Sequence, residues 1–244
     1  MADQSRSLLG IGIYTRAEAT RLLKLSPARI TSWLKGYRYS WGPREARRRG
    51  QQPPVIESDL PMFDGTLVLS FLELMELRVV KQFRDRGTSL QAVRLVWERA
   101  AQAFGTRHPF AHHRFFTDAG RILVSLENEP PDINTPAVLY EISSRREPLQ
   151  AVAGVLVKQS LHEVFDTRTK LVREWCPRGP TTPVVLNPAV SFGAPTIAGT
   201  RVPTETIQRF AQSRPIGSVA DLFGLTEQQV SAAISFETYL AKAA

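Results

Sequence analysis

Apolar positions in the first third of this chain fall at steps of three and four, the spacing of amphipathic helices. In YTRAEATRLLKLSPARITSWLKGY (residues 14–37), Ala19, Leu22 and Leu23 make one stripe and Ile30, Trp33 and Leu34 another. Thr15 and Glu18 have capping-box spacing, in which hydroxyl and carboxylate satisfy the free amides of a helix start. Ser26 suits an N-cap, Pro27 the first helical position, and Gly36 the residue that ends a helix. The pattern predicts two short helices and a tight turn over residues 15–36. Arg29, Thr31, Ser32 and Lys35 lie on the polar side of the second helix. That layout suits a helix-turn-helix whose second helix enters a DNA groove. It also suits an ordinary helical hairpin with a solvated polar face.

The same grammar continues downstream. Ser70 and Glu73 open a helix ending near Gly87, and Thr88 with Gln91 opens another, with Ala92, Val93, Val96, Trp97, Ala100 and Phe104 on one face. Met62, Met75 and Trp97 are assigned to packing. Alternation then replaces helical spacing: Asp118, Ala119 and Gly120 separate two apolar strands, AVLYEIS reads as a strand, and LHEVFDTRTKLVREW reads as a hairpin turning at Asp166 to Thr169. LQAVAGVLVKQSL is predicted to be helical. Beyond the linker residues Pro177, Gly179 and Pro180, Thr204 opens a helix, Ser218 and Asp221 cap a second that stops at Gly224, and Thr226 with Gln229 caps a third. The expected fold is mainly α with small β-hairpins. The expected units are 1–110, with a winged helix-turn-helix; a β-containing connection at 111–182; and a three-helix, helix-turn-helix-like module at 183–244.

Charge separates these units. Residues 1–60 carry 11 Lys and Arg against 5 Asp and Glu, and residues 61–110 carry 7 against 5. The two later units are balanced, at 9 against 9 and 4 against 4, so the net +8 of the 244 residues lies wholly in the N-terminal unit. A localised basic patch is the footprint of phosphate binding. Its densest part is 37–66, the expected wing or linker, where Arg38, Arg44, Arg47, Arg48 and Arg49 are placed to grip phosphates. Tyr37, Tyr39 and Trp41 interleave with them, which is unlike a solvated linker. The last helix instead offers Glu227, Gln228, Gln229, Ser231 and Glu237, a face that does not attract phosphate. It is therefore assigned to protein contact, with Arg201 and Arg209 as candidate partners for acidic groups.

Catalytic and cofactor signatures are absent from the sequence. His162-Glu163 lacks the second histidine of HExxH, and no Walker loop, GxSxG elbow or dinucleotide GxGxxG occurs. His108, His112 and His113 lack ligand spacing, and Cys176 has no disulfide partner. No enzyme, cofactor or metal is expected. No membrane-length apolar run or signal segment is read, and the low cysteine usage leads to a cytoplasmic expectation.

The Tyr14–Tyr37 segment resembles the MerR-like and excisionase-like helix-turn-helix. LSFLELMELRVVKQFRDRGTSLQAVR with HPFAHHRFFTDAGRIL, then PVVLNPAVSFGAPTIAGTRVPTETI with SVADLFGLTEQQVSAAISFE, are similar to successive blocks of VapB-type antitoxins. The resemblance implies an antitoxin that neutralises a PIN-domain ribonuclease toxin and represses its own operon. On that reading Arg29, Thr31, Ser32 and Lys35 face base edges of operator DNA, the wing arginines neutralise phosphates, and the protein is a homodimer. The toxin-binding residues are not indicated. A MerR-like regulator with a C-terminal sensing or dimerisation domain is the alternative, and a protein-binding scaffold is a third.

Overall fold

The chain was analysed as a computed structural model, which describes residues 11–112, four strands between 115 and 152, and residues 162–242. It opens with β1 (Ile13–Thr15), α1 (Arg16–Leu23) and α2 (Pro27–Lys35). The Thr15–Glu18 capping box forms, Ser26 caps α2, and Lys24 takes the left-handed conformation between the helices. β2 (Tyr37–Trp41) and β3 (Arg48–Gln52) then pair antiparallel, from Tyr37 opposite Gln52 to Trp41 opposite Arg48.

β4 (Val68–Ser70) pairs with β1 and leads into α3 (Phe71–Asp85), capped by Ser70 and Glu73. α4 (Leu90–Phe104) begins one residue later than expected. Ser89 is its N-cap, accepting from the Ala92 amide, while Thr88 is buried with its hydroxyl unsatisfied. The expected packing role holds for Met75, which is buried, but Met62 is 52% exposed. A short helix, α5 (Pro109–His112), packs against α3 and α4.

The middle region is a four-stranded antiparallel sheet in sequential order: β5 (Phe115–Asp118), β6 (Arg121–Ser125), β7 (Leu139–Glu141) and β8 (Gln150–Val152). The hairpin and the strand expected there are both present. The helix expected over LQAVAGVLVKQSL is not what its start forms: Gln150–Val152 is a strand pairing with β7, and the remainder lies outside the described residues. Its apolar run could suit either structure, and the neighbouring edge decided it.

β9 (Glu163–Phe165) and β10 (Val172–Trp175) form the second expected hairpin. Its turn is fastened by Asp166, whose Oδ1 accepts from the amides of Arg168 and Thr169 and from the Thr169 hydroxyl. β11 (Val184–Val185) and β12 (Thr196–Ile197) precede α6 (Thr204–Ala211), α7 (Ile216–Phe223) and α8 (Glu227–Ala241). The N-cap of α7 is Pro215, three residues before the expected Ser218, and its fixed φ suits the extended entry to the helix; Gly224 ends the helix as expected, in the left-handed region. Glu237 is not an outward residue of α8. It is half-buried and accepts a hydrogen bond from Thr204.

One buried cluster runs through both ends of the chain, from Tyr14, Leu22 and Ile30 to Val230, Phe236 and Leu240. Two polar contacts fix the C-terminal region to the N-terminal one. The Tyr14 hydroxyl donates to the Gly193 carbonyl at 2.7 Å, and Lys24 Nζ donates to the Tyr239 carbonyl at 2.6 Å while lying 3.8 Å from that ring's centre. α3 is tied to the second hairpin by Arg78, which pairs with Glu163 and lies over the Trp175 ring. No described helix is long and apolar enough to cross a membrane.

Candidate nucleic-acid interface

The polar side of α2 follows directly from its buried side. Ile30, Trp33 and Leu34 are all under 5% exposed, which orients the helix and leaves Arg29 and Lys35 in solvent. Thr31 and Ser32 are only half-exposed. Their hydroxyls donate back to the Pro27 and Arg29 carbonyls at 3.0 Å each, a habit of these residues within helices. The Arg16 guanidinium also donates to Thr31 at 3.4 Å. Both hydroxyl oxygens therefore keep acceptor capacity, while their protons are engaged.

A single residue, Gly36, joins α2 to the β2–β3 hairpin. Its φ of 71° is in the left-handed region, and any Cβ there would collide with the Gln52 carbonyl oxygen. After the hairpin the chain returns to α2, where the amides of Val55 and Ile56 both donate to the Trp33 carbonyl, at 2.7 and 3.4 Å. Arg94 of α4 holds the next carbonyls in line, donating to those of Pro53 and Pro54 at 2.9 and 3.2 Å.

Arg38, Arg44, Arg47, Arg48 and Arg49 are all exposed on this hairpin and its connecting loop. Among the described residues, neither they nor Arg29 and Lys35 make a side-chain ion pair or hydrogen bond. Arg38 and Arg49 emerge on one side of the hairpin. Arg48 emerges on the other, beside Trp41. The segment expected to be a wing or linker is thus an ordered hairpin over 37–52, followed by an irregular stretch to 67.

Beneath this surface lies a charged cluster that sequence reading missed. His108 sits between two carboxylates: Nε2 is 2.5 Å from Asp59 and Nδ1 is 3.2 Å from Glu76. Glu76 is completely buried and also accepts from the Trp97 indole and the Phe110 amide. Burial alone would lower the His108 pKa, but hydrogen bonds and charge from Asp59 and Glu76 outweigh it and raise it to about 9. Burial pushes the Glu76 carboxyl up, with its bonded partners pulling the other way. The buried imidazolium therefore fixes the segment leaving the hairpin onto α3 and α5. A legible signal was present: Glu73 and Glu76 sit on the apolar side of α3, where an acid requires a partner. Glu73 meets that requirement by accepting from the Ser70 and Asp59 amides.

His112 is half-buried with its ring stacked on Phe104, and His113 lies outside the described residues. Among the described residues no group of three or more His, Cys, Asp or Glu side chains is arranged to hold a metal ion.

Residues 184–236 match the family model described as "Protein of unknown function (DUF433)". Over 243 residues the chain is 26% identical to a Mycobacterium tuberculosis protein named "Putative antitoxin VapB45", covering 95% of this chain and 97% of that one. It is also 26% identical over 255 residues to "Uncharacterized protein Rv2308" of the same organism, covering 96% and 94%. The crystal structure of Rv2018 from M. tuberculosis superposes with a TM-score of 0.58 at 19% identity, covering 93% of this chain and 98% of that one. That likeness concerns the fold. The chain is thus similar, end to end, to a protein named a "putative antitoxin", and shares its fold with a mycobacterial protein of known structure.

Proposed function

We propose that this protein is a non-enzymatic antitoxin that represses its own operon by binding operator DNA and neutralises a PIN-domain ribonuclease toxin. The DNA half of the reading treats α1, α2 and the β2–β3 hairpin as a winged helix-turn-helix. Arg29, Thr31, Ser32 and Lys35 read base edges, and Arg38, Arg44, Arg47, Arg48 and Arg49 neutralise phosphates. The observation that carries it is the exposure of seven cationic side chains on α2 and the adjoining hairpin, unpaired among the described residues. A homodimer places two such heads on half-sites about one helical turn apart. The toxin half rests on the similarity to the protein named as an antitoxin, and it assigns toxin contact to the near-neutral residues 183–244.

Titration against the protein's own promoter tests the first half. With about four to six phosphates neutralised, log K against log salt falls with a slope of roughly −4 to −5. A slope near zero removes the footprint. Co-expression with the neighbouring gene product, followed by co-purification and a ribonuclease assay, tests the second half. A nuclease unaffected by stoichiometric addition of this protein defeats it and leaves DNA binding untouched.

A regulator controlled by a small molecule is the second reading. It is favoured by an open cleft of about 610 Å³ lined by Asp59, Arg107, His108 and Arg173, within the size range of ligand pockets. Metabolites that alter operator affinity would support it.

A further inference from the structure

The exposed face of the β2–β3 hairpin carries a feature that duplex binding does not require. Tyr37, Tyr39 and Trp41 alternate along β2 and so share one face of the hairpin. Their rings form a continuous row, with centroids 6.1 Å apart for Tyr37–Tyr39 and 5.3 Å for the stacked pair Tyr39–Trp41. Each remains 40–46% exposed. Gly50 lies opposite Tyr39, and a Cβ at Gly50 would stand 2.7 Å from the tyrosine Cζ and 3.0 Å from the Trp41 ring. The absent side chain lets Tyr39 lie down across the partner strand, leaving an exposed aromatic platform in which Tyr39 and Trp41 lie within 25° of each other and Tyr37 is tilted by 53°.

We infer that this platform binds unpaired nucleobases of a single-stranded polynucleotide, an activity beyond operator recognition. Charge complementarity selects that occupant. Residues 37–52 hold five arginines against one acid, Glu45, and Ala46 is their only aliphatic residue. Tyr, Trp and Arg are also enriched at protein interfaces, so what selects a polyanion here is the net charge of +4 over these 16 residues, five arginines less one glutamate. Rings on a hairpin that supplies no Leu, Ile or Val of its own, bordered by Arg48 on the same face and by loop arginines, match the stacking-plus-phosphate chemistry of single-strand binders. In duplex DNA the base faces are covered by stacking, so only unpaired bases can use all three rings.

The test is fluorescence anisotropy of the full-length protein with labelled (dT)12, (rU)12 and a fully paired DNA hairpin. Tyr39→Ala and Trp41→Ala are each expected to weaken (dT)12 binding about five- to hundredfold, with the paired hairpin changed less than twofold. Gly50→Val, which raises a side chain under Tyr39 and displaces its ring, is expected to do the same without removing any of the three rings, and circular dichroism verifies that each variant is folded. Comparable binding of (rU)12 keeps the inference, and a preference for either sugar keeps it and identifies the natural strand. Absence of single-strand binding, or equal losses on single and paired strands, overturns it. So does a ring substitution whose sole effect is loss of self-association in sedimentation. Failure of the operator reading looks different: no retardation of promoter duplex, with (dT)12 binding intact.

Discussion

Two helix pairs in this protein are built to the same local plan and carry opposite surfaces. α1 and α2 are joined through Lys24 in the left-handed region, and α7 and α8 through Gly224 in the same region. Each pair contains a capping box, Thr15–Glu18 in one and Thr226–Gln229 in the other, and each buries a stripe of Leu, Ile, Val or Ala. The first pair continues into a hairpin with five exposed arginines. The second exposes Asp221, Glu227 and Gln228. Helix–turn–helix shape is therefore a solution to packing two short helices, and it does not by itself indicate DNA. The side chains left outside by that packing make the difference.

The largest test of that contrast concerns what each pair rests on. The N-terminal region is supported by a buried ionic cluster, and Glu76→Ala would leave the His108 imidazolium, the Trp97 indole and the Phe110 amide short of an acceptor. The expected loss is about 3–5 kcal/mol in urea unfolding. Replacing Arg44, Arg47, Arg48 and Arg49 together by Ala is expected to flatten the salt slope of operator binding by about 3–4. The matching change of Arg201, Arg209 and Arg214 in the C-terminal module should leave it unaltered. A similar loss from the second set would dissolve the comparison.

Alkali should act on the N-terminal region through His108. Its folded pKa of about 9 lies above the ordinary histidine value of 6.5. The stability it contributes is thus complete below about 6.5 and is lost as pH rises past 9, by on the order of 1–3 kcal/mol. His108→Asn should flatten unfolding midpoints measured between pH 6 and 9.5. The smallest effects belong to the two turns. Gly224→Ala forces a Cβ into the left-handed region and should cost about 1 kcal/mol. Lys24→Gly relieves the same strain but forfeits the Tyr239 contacts, so thermal unfolding should move by less than about half that amount.

Most helices were legible because their ends are written in capping residues that act locally. Thr15, Ser26, Ser70, Thr226 and Gly224 all behave as their chemistry dictates. The misreadings arose where a local signal had competitors. Thr88 and Ser89 both suit an N-cap, and the buried environment of Thr88 left the role to Ser89. Gln150–Val152 can adopt either helix or strand, and pairing with β7 settled it. The exposed arginines could be anticipated from charge density alone. The Asp59–His108–Glu76 cluster could not, since its members are brought together by tertiary packing across 50 residues of sequence.

Both ends of the hairpin arm are tied to the last turn of α2. α2 passes into the arm through Gly36, and the returning chain is held by the carbonyl of Trp33, the residue that also anchors α2 in the core. The arm cannot pivot on its own hinge without breaking that junction. Helix and arm therefore move as a rigid bracket, and whichever engages a ligand first delivers the other already aligned, with little disorder left to freeze out.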